Sequence, residues 1–152
     1  MNENELVELE AYSSTPVISL TNLLTKIYEE SVSSLTKDSF LNQKATRFIL
    51  SVLSKKGGLT QNDLVRITHM KGSTISVTLS KLEEEGMIER KSDSYDNRCI
   101  RVYLTDDGIK LNQRREEILD ILEQKGKRGI TPKEIKEAVF VLSTYLNNLL
   151  EK

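Results

Sequence analysis

The sequence contains few of the residues that build metal centres, disulfide frameworks or large sheets. Tryptophan is absent, there are only two prolines, and cysteine and histidine occur once each, at Cys99 and His69. A single cysteine excludes an intramolecular disulfide, and one Cys with one His supplies too few ligands for a zinc site. We therefore expect no metal and no other cofactor. An aromatic content of 5% is poor in strand formers and favours a mostly helical protein.

Long apolar runs are missing as well, and neither sign of charge dominates. No uninterrupted apolar stretch approaches the ~18 residues that a membrane-spanning helix needs. The first ten residues, MNENELVELE, are acidic where a signal peptide would be basic. We therefore expect a cytoplasmic protein with no membrane partner. The apolar fraction of 38% suffices for a hydrophobic core, and the net charge of -1 argues against a polycation that coats nucleic acid.

Charge is distributed unevenly along the chain, although the total is nearly balanced. Residues 1–30 carry one basic and six acidic side chains, whereas residues 54–101 carry nine basic and seven acidic ones. Residues 1–15 are therefore predicted to form an acidic arm that stays away from nucleic acid. A local basic surface is predicted in the middle of the chain.

Start and stop signals divide the rest of the chain into helices. Thr60-Gln61-Asn62-Asp63 and Thr131-Pro132-Lys133-Glu134 each place a hydroxyl group three residues before a carboxylate, the pattern of a capping box at a helix start. Thr15-Pro16 offers a cap followed by Pro at the first helical position. Together with apolar residues at helical spacing, these signals predict helices over about residues 16–35, 42–55, 60–67, 73–86, 105–124 and 131–150.

Between the fourth and fifth helices the apolar period changes from that of a helix to that of a strand. Met87–Lys91 is a short strand candidate, and apolar and other residues alternate along Cys99–Leu104. The polar segment Ser92–Asn97 between them is typical of a turn. The pair therefore predicts a β-hairpin.

The last helix carries an apolar stripe that requires a partner. The residues of the stripe recur at intervals of 4, 3, 4 and 3, the spacing of a coiled-coil seam, and they are Ile135, Val139, Leu142, Leu146 and Leu149. A terminal helix of about twenty residues is roughly 30 Å long and does not bury such a stripe by itself. We therefore predict a homodimer that joins through this helix.

The order helix, helix, hairpin over residues 60–104 is that of a winged helix-turn-helix. The segment STISVTLSKLEEEGMIER, residues 73–90, resembles the recognition helix and first wing strand of the MarR family of bacterial transcriptional regulators. Asp96-Asn97-Arg98, followed by the second strand and LTDDG, resembles the Asp-x-Arg wing tip of the same family. The resemblance covers roughly residues 16–150.

This resemblance implies both an architecture and a function. The fold is expected to be mostly α with a small β-wing, an α+β winged helix-turn-helix at residues 40–105 flanked by dimerisation helices at 16–36 and 106–152. Leu20 and Leu24 of the first helix are implied dimer contacts. The implied function is transcriptional repression by a homodimer on a pseudo-palindromic operator in double-stranded DNA. An enzyme is not expected, because no nucleophile with a base and no phosphate-binding glycine loop is found.

The residues of the fourth helix agree with DNA binding. Ile75, Leu79 and Leu82 share one face and are expected in the core. The opposite face is rich in short hydroxyl side chains, which allow close approach to a major groove, and Val77 could contact a thymine methyl group. A merely solvated face is the alternative. The predicted contacts of this region are Lys71, Ser73, Thr74, Ser76, Val77, Ser80 and Lys81.

The hairpin adds further candidate contacts. Arg90, Lys91 and Arg101 are candidates for phosphate contacts, although exposed basic residues are often only solvated. The resemblance implies that Arg98 enters a narrow minor groove and that Asp96 holds it there. An ordinary surface ion pair is the alternative.

Several positions bear on which operator sequence the protein would bind and which signal it would respond to. Many members of the family carry basic residues where this chain has Gly72, Val77 and Asn97, so the operator sequence stays open. His69 is predicted to be a turn residue, with pH sensing as the alternative. Cys99 is predicted to be a small strand residue, with redox sensing as the alternative. Other members bind small aromatic or lipophilic ligands, and such a ligand could be an inducer here.

A second class of function stays open. A winged-helix protein-interaction module or antirepressor keeps the fold and has little affinity for DNA. Glu83-Glu84-Glu85 and the missing basic residues favour this alternative, although the acidic run at the far end of the fourth helix is also typical of a solvated face. DNA binding that is absent or insensitive to salt would distinguish it.

Overall fold

The computed structural model describes residues 15–93 and 98–151. Most of them lie in helices, and the elements in chain order are α1 (Pro16–Leu35), α2 (Lys44–Lys55), α3 (Gln61–Thr68), α4 (Gly72–Glu84), β1 (Ile88–Ser92), β2 (Ile100–Leu104), α5 (Asp106–Gly126) and α6 (Pro132–Leu150). This order confirms the predicted, mostly α fold with a small β-wing. The predicted acidic arm lies, apart from Thr15, outside the described residues.

The chain divides into two compact units. The division falls within α5, between Ile118 and Leu119. The first unit contains the helix-turn-helix and the hairpin, and the second contains α6. The predicted limits of the arm, the DNA-binding domain and the dimerisation region stay predictions.

Two of the helices begin with the capping boxes that the sequence predicts. At α3 the Asp63 N–H donates to the Thr60 hydroxyl oxygen at 3.1 Å, and the Thr60 N–H donates to the Asp63 carboxylate at 3.1 Å. Thr131 and Glu134 make the same reciprocal pair at the start of α6. These bonds satisfy N–H groups that have no partner inside the helix, so both helix starts are specified locally.

The second helix begins later than its apolar pattern predicts. A separate turn occupies residues 39–42, in which the Asp38 carboxylate accepts from the Phe40 N–H at 2.9 Å. The Asn42 N–H donates to the Asp38 carbonyl at 3.0 Å. This local bonding competes with helix formation, and α2 starts only at Lys44.

The hydrophobic core of the first unit joins α2, α3, α4 and the hairpin. Ile75, Leu79 and Leu82 of α4 are fully buried, as predicted. The complete buried cluster contains Leu41, Ile49, Leu50, Leu53, Leu59, Leu64, Ile75, Leu79, Leu82, Ile88, Val102 and Leu111. Burial of these side chains removes apolar surface from water and fixes the rotation of α4 about its own axis.

A buried arginine connects α1 to the core of the first unit. Arg47 of α2 is 6% exposed, donates to the Leu41 carbonyl at 2.6 Å and forms an ion pair with Glu29 of α1. Its guanidinium carbon lies 5.6 Å from the ring centre of Tyr28. Because a buried guanidinium requires such partners, this set of contacts specifies where α1 packs on α2.

The hairpin is extended by the loop that precedes α3. β1 and β2 pair antiparallel, with Ile88 opposite Leu104. On the other edge of β2, Val102 donates to the Leu59 carbonyl at 2.9 Å and accepts from the Gly58 N–H at 3.0 Å. The wing is therefore bonded along both edges of β2, to β1 and to the helix-turn-helix itself.

A substitution at Gly108 tests the contact between α5 and the base of the wing. An ideal Cβ at this position would lie 1.9 Å from the Met87 carbonyl oxygen. We expect Gly108→Ala to lower the free energy of unfolding by about 1 to 3 kcal/mol, because overpacking displaces backbone. Urea unfolding measures the effect.

The matched control is Gly126→Ala in the same helix. Apart from the neighbouring residues and the backbone of the same helix, no heavy atom of the described residues lies within 4 Å of an ideal Cβ there. Alanine favours helix over glycine, so the free energy of unfolding should stay unchanged or rise by up to about 1 kcal/mol. Equal stability of the two variants would contradict the close packing at Gly108.

Candidate nucleic-acid interface

The turn between α3 and α4 depends on a residue in a left-handed conformation. His69 directly follows α3 and has φ of 54°. Few residues other than glycine adopt this region, although histidine, asparagine and aspartate do so more often than the rest, and it ends a helix sharply. The prediction that His69 is a turn residue is confirmed. Its conformation lets the chain reverse into Lys71, which directly precedes α4.

The face of α4 opposite its buried residues carries the predicted DNA contacts. Lys71, Ser73, Thr74 and Lys81 are exposed, and Ser76 and Ser80 are half-buried. Val77 is 57% exposed. An apolar side chain left in water among small hydroxyl groups suits contact with a thymine methyl group.

A shallow groove joins this face of α4 to the hairpin. It has a volume of about 320 Å³ and is lined by Gln61, Ser76, Ser80, Arg90, Ile100 and Val102. Gln61 was not among the predicted contacts, because its capping box marks a helix start and gives no reason to expect a binding surface. Gln61, the first residue of α3, therefore lies beside the exposed face of α4.

Two of the predicted phosphate contacts are paired with carboxylates. Arg90 forms an ion pair with Glu83 at 2.7 Å, and Lys91 forms one with Glu89 at 2.5 Å. Glu83 is thus one member of the acidic run that has a specific partner, whereas Glu84 and Glu85 are exposed. Exposed pairs of this kind contribute little stability, so a phosphate group can displace the carboxylates.

Arg101 occupies a different environment from the other cations of the hairpin. It is half-buried, its Nε–H donates to the Asp93 carboxylate, and its Nη1–H donates to the Gly58 carbonyl at 2.7 Å. The hydrogen bond to Asp93 and the charge of that carboxylate raise the pKa of Arg101 further above its ordinary value. The phosphate contact predicted for Arg101 stays a prediction, and the structure adds a role at the base of the wing.

The tip of the wing is described only in part. Arg98 is exposed and lies two residues before β2. Residues 94–97 lie outside the described residues, and they include Asp96, its predicted partner, and Asn97. The predicted contact between Asp96 and Arg98 therefore stays a prediction.

The described helices leave apolar side chains exposed at the positions predicted for dimerisation. In α1, Leu20 and Leu24 are exposed. In α6, Val139, Leu142, Leu146 and Leu149 are exposed and Ile135 is half-buried. No residue of α6, a helix described over its whole length, is buried within the chain. Such a stripe is typical of a helix that packs against another molecule.

Metal-binding clusters and membrane spans are both missing from the part of the chain that the structure describes. Residues 15–93 and 98–151 contain no cluster of three His, Cys, Asp or Glu side chains that could hold a metal ion. Over the same two segments, every helix is too short or too polar to cross a bilayer.

The geometry of α3, α4 and the hairpin defines a winged helix-turn-helix protein, and comparisons with known proteins show which regulators it is similar to. The model of the MarR family matches residues 47–98. The HTH-type transcriptional repressor MdtR of Bacillus subtilis (strain 168) is 31% identical over 91 residues, which are 60% of this chain and 57% of MdtR. The chain thus matches little more than half the length of that relative.

Solved structures extend the similarity to most of the chain. A MarR-family transcriptional regulator from Silicibacter pomeroyi is 27% identical with a TM-score of 0.76, over 92% of this chain and 91% of that one. A mutant of S. aureus MepR, bound to an oligodeoxyribonucleotide, is 26% identical with a TM-score of 0.55, over 86% of this chain and 92% of that one. Over most of its length the chain is thus similar to a MarR-family transcriptional regulator.

The capping box of α3 gives a prediction about pH. Hydrogen bonds from Thr60, with a smaller contribution from Arg66, lower the pKa of Asp63 from 3.8 to about 2. The stabilisation is therefore complete above the ordinary pKa and is lost as pH falls through about 2. We expect Thr60→Ala to raise the pKa of Asp63 towards 3.8 and to lower the free energy of unfolding near neutral pH by about 1 kcal/mol.

An NMR titration of the Asp63 carboxyl group measures the pKa directly. Thr131→Ala is the control, because it removes the equivalent hydroxyl from the capping box of α6, where Thr131 lowers the pKa of Glu134. The control should leave the pKa of Asp63 unchanged. An unshifted Asp63 pKa in Thr60→Ala would contradict the assigned cause.

Proposed function

We propose that this chain is a DNA-binding transcriptional regulator that represses as a homodimer on a pseudo-palindromic operator. The observation that carries the proposal is the joint surface of α4 and the hairpin. Short hydroxyl groups and the exposed Val77 line the helix, and the hairpin beside it carries Arg90, Lys91 and Arg98. Repression is supported by the repressor relative, and DNA binding by the neighbour that is bound to an oligodeoxyribonucleotide.

In this proposal α4 enters the major groove and the wing reaches the adjacent minor groove. The small side chains of Ser73, Ser76 and Ser80 allow the helix backbone to approach the base edges closely. Arg98, on the protruding end of the hairpin, supplies a guanidinium group for the negative potential of a narrow minor groove. Base recognition thus comes from α4, and the wing adds shape recognition and charge.

Two-fold symmetry follows if the stripe of α6 joins two copies. A dimer of winged helices places its recognition helices on half-sites about 10 bp apart, or a multiple of that distance. The exposed residues of the stripe, with Leu20 and Leu24 of α1, are the proposed dimer contacts. Burial of about five large side chains in each copy would contribute several kcal/mol to association.

Release by a small aromatic or lipophilic ligand is part of the same proposal. A groove of about 530 Å³ lies between the end of α2, β2 and the first turns of α5. Its walls include the apolar side chains of Leu53, Leu104 and Ile109, the ring of Tyr103 and the amide of Asn112. A volume and lining of this kind suit a small aromatic molecule.

Removal of the wing arginine tests the DNA-binding mode. We expect Arg98→Ala to weaken binding to the promoter region of its own gene by about tenfold, because the minor-groove contact is lost. The slope of log K against log salt should fall by about 1. Fluorescence anisotropy at several salt concentrations measures both quantities.

Arg128→Ala is the matched control, since it removes the same charge from the connection between α5 and α6. It should leave the affinity within about twofold of the unsubstituted chain, because nonspecific charge effects are small at moderate salt. Unchanged affinity of Arg98→Ala would contradict the proposed contact of Arg98 with the minor groove. DNA binding that is absent or insensitive to salt in the unsubstituted chain would favour the protein-interaction module instead.

A charge in the stripe of α6 tests the dimer. Light scattering of the unsubstituted chain at micromolar concentration should give twice the 17.3 kDa of one chain. Leu142→Glu should shift the mass towards 17.3 kDa, because a carboxylate would be buried in an apolar interface. Thr144→Glu places the same charge on the opposite face of the helix and should leave the dimer intact. A monomeric unsubstituted chain would contradict the proposed interface.

A further inference from the structure

The base of the wing contains a bonded arrangement that no DNA contact requires. Arg101 of β2 donates from Nε to the Asp93 carboxylate and from Nη1 to the Gly58 carbonyl at 2.7 Å. Asp93 directly follows β1, and Gly58 lies in the loop between α2 and α3. One guanidinium group therefore joins both arms of the hairpin to the body of the helix-turn-helix.

The Asp93 carboxylate is better protected from water than the other two carboxylates that form ion pairs on the hairpin, although the Arg101 side chain is itself 38% exposed. The Asp93 side chain is 13% exposed, whereas the carboxylates that pair with Arg90 and Lys91 are 38% and 44% exposed. Solvent weakens an exposed pair, and a shielded charged hydrogen bond is both stronger and more costly to leave unmade. The planar guanidinium also fixes the direction of both bonds.

Further contacts fix the same part of the wing. The Asp93 N–H donates to the Cys99 carbonyl at 2.8 Å, so the two arms are closed immediately before the tip. The Tyr103 ring packs on the loop at Gly58, where an ideal Cβ would lie 2.8 Å from the phenol oxygen. Gly58 also has φ of +72°, a conformation that suits glycine. Arg98 is the residue next to this closed point.

We propose that Asp93 and Arg101 are positioning residues that fix the direction of the wing, so that Arg98 reaches the minor groove. This inference rests on the proposed DNA-binding function and assigns to Arg101 a role other than contact with phosphate. In the DNA complex the guanidinium group keeps its bonds to Asp93 and Gly58. Asp93 therefore favours DNA binding although it carries a negative charge on the DNA-binding hairpin.

Neutralisation of Asp93 separates this role from a simple charge effect. Loss of a carboxylate near DNA should strengthen binding if only electrostatics matter. The positioning role predicts that loss of the carboxylate weakens DNA binding. Asp93→Asn should weaken binding by about fivefold to tenfold, which is at most the loss expected for Arg98→Ala, because the DNA contact that is weakened is that of Arg98. The probe is a duplex that the unsubstituted chain selects from a random-sequence library.

Two further variants serve as controls for charge. Glu89→Gln removes the same charge from β1, where Glu89 forms an ion pair with the exposed Lys91, and it should bind the duplex as tightly or more tightly. Arg101→Lys keeps the positive charge but loses the planar pair of bonds. It should weaken binding as Asp93→Asn does and lower the salt slope as Arg98→Ala does, because the contact of Arg98 with the minor groove is lost in each variant.

A double-mutant cycle shows whether Asp93 acts through Arg98. If it does, Asp93→Asn should cost less than about twofold in the Arg98→Ala background, because the positioned group is already gone. A variant that merely unfolds would lose the same fraction of binding in both backgrounds. Hydroxyl-radical footprints add a measure that does not depend on the folded fraction, because protection at the wing should fall relative to protection at α4.

The outcomes separate the two proposals. An unsubstituted chain that selects no duplex would refute DNA binding and the positioning role together. An unsubstituted chain that binds, with Asp93→Asn binding equally well or more tightly, would refute only the positioning role. Additive effects of Asp93→Asn and Arg98→Ala would overturn it as well.

Discussion

The candidate interface depends on the burial of one face of α4. Ile75, Leu79 and Leu82 pack against α2, α3 and the hairpin, and each is removed completely from water. When one stripe of a helix is buried, the residues on the opposite face are necessarily exposed. The hydroxyl-rich face with Val77 is exposed because the opposite face is the core. Weakening this packing would therefore also disturb the exposed face of α4.

The second constraint concerns the direction of the wing. A two-stranded hairpin is marginal by itself, and its direction in space is set by whatever it packs against. Here β2 is bonded to β1 on one edge and to Leu59 on the other, and Val102 enters the core. Gly58 and Arg101 add a side-chain bond at the same place. Gly57 and Gly58, which resemble a simple helix stop in the sequence, leave space for the Tyr103 ring. The Gly58 carbonyl also accepts a hydrogen bond from Arg101.

Charge pairing reduces the positive charge that the cations of the hairpin present to solvent. Arg90, Lys91 and Arg101 each have a carboxylate partner, and these partners are Glu83, Glu89 and Asp93. The carboxylates of the first two pairs are accessible to solvent and can be exchanged for phosphate at little cost, whereas the carboxylate of the third is 13% exposed and its arginine also bonds to the Gly58 carbonyl. The count of cations in a segment therefore overstates the charge that is available to DNA, and burial decides which cations contribute to it.

Local signals in the sequence determined the helices, their capping boxes and the hairpin, because these depend on neighbours within a few residues, whereas the turn at His69 was predicted from the family resemblance. The same signals predicted the buried face of α4 and the exposed stripe of α6, since helical periodicity is also a local property. The pairing of Arg101 with Asp93 and Gly58 was decided only by the tertiary structure. Gly58 is 43 residues from Arg101 along the chain, and only folding brings its carbonyl within hydrogen-bond distance of that guanidinium group.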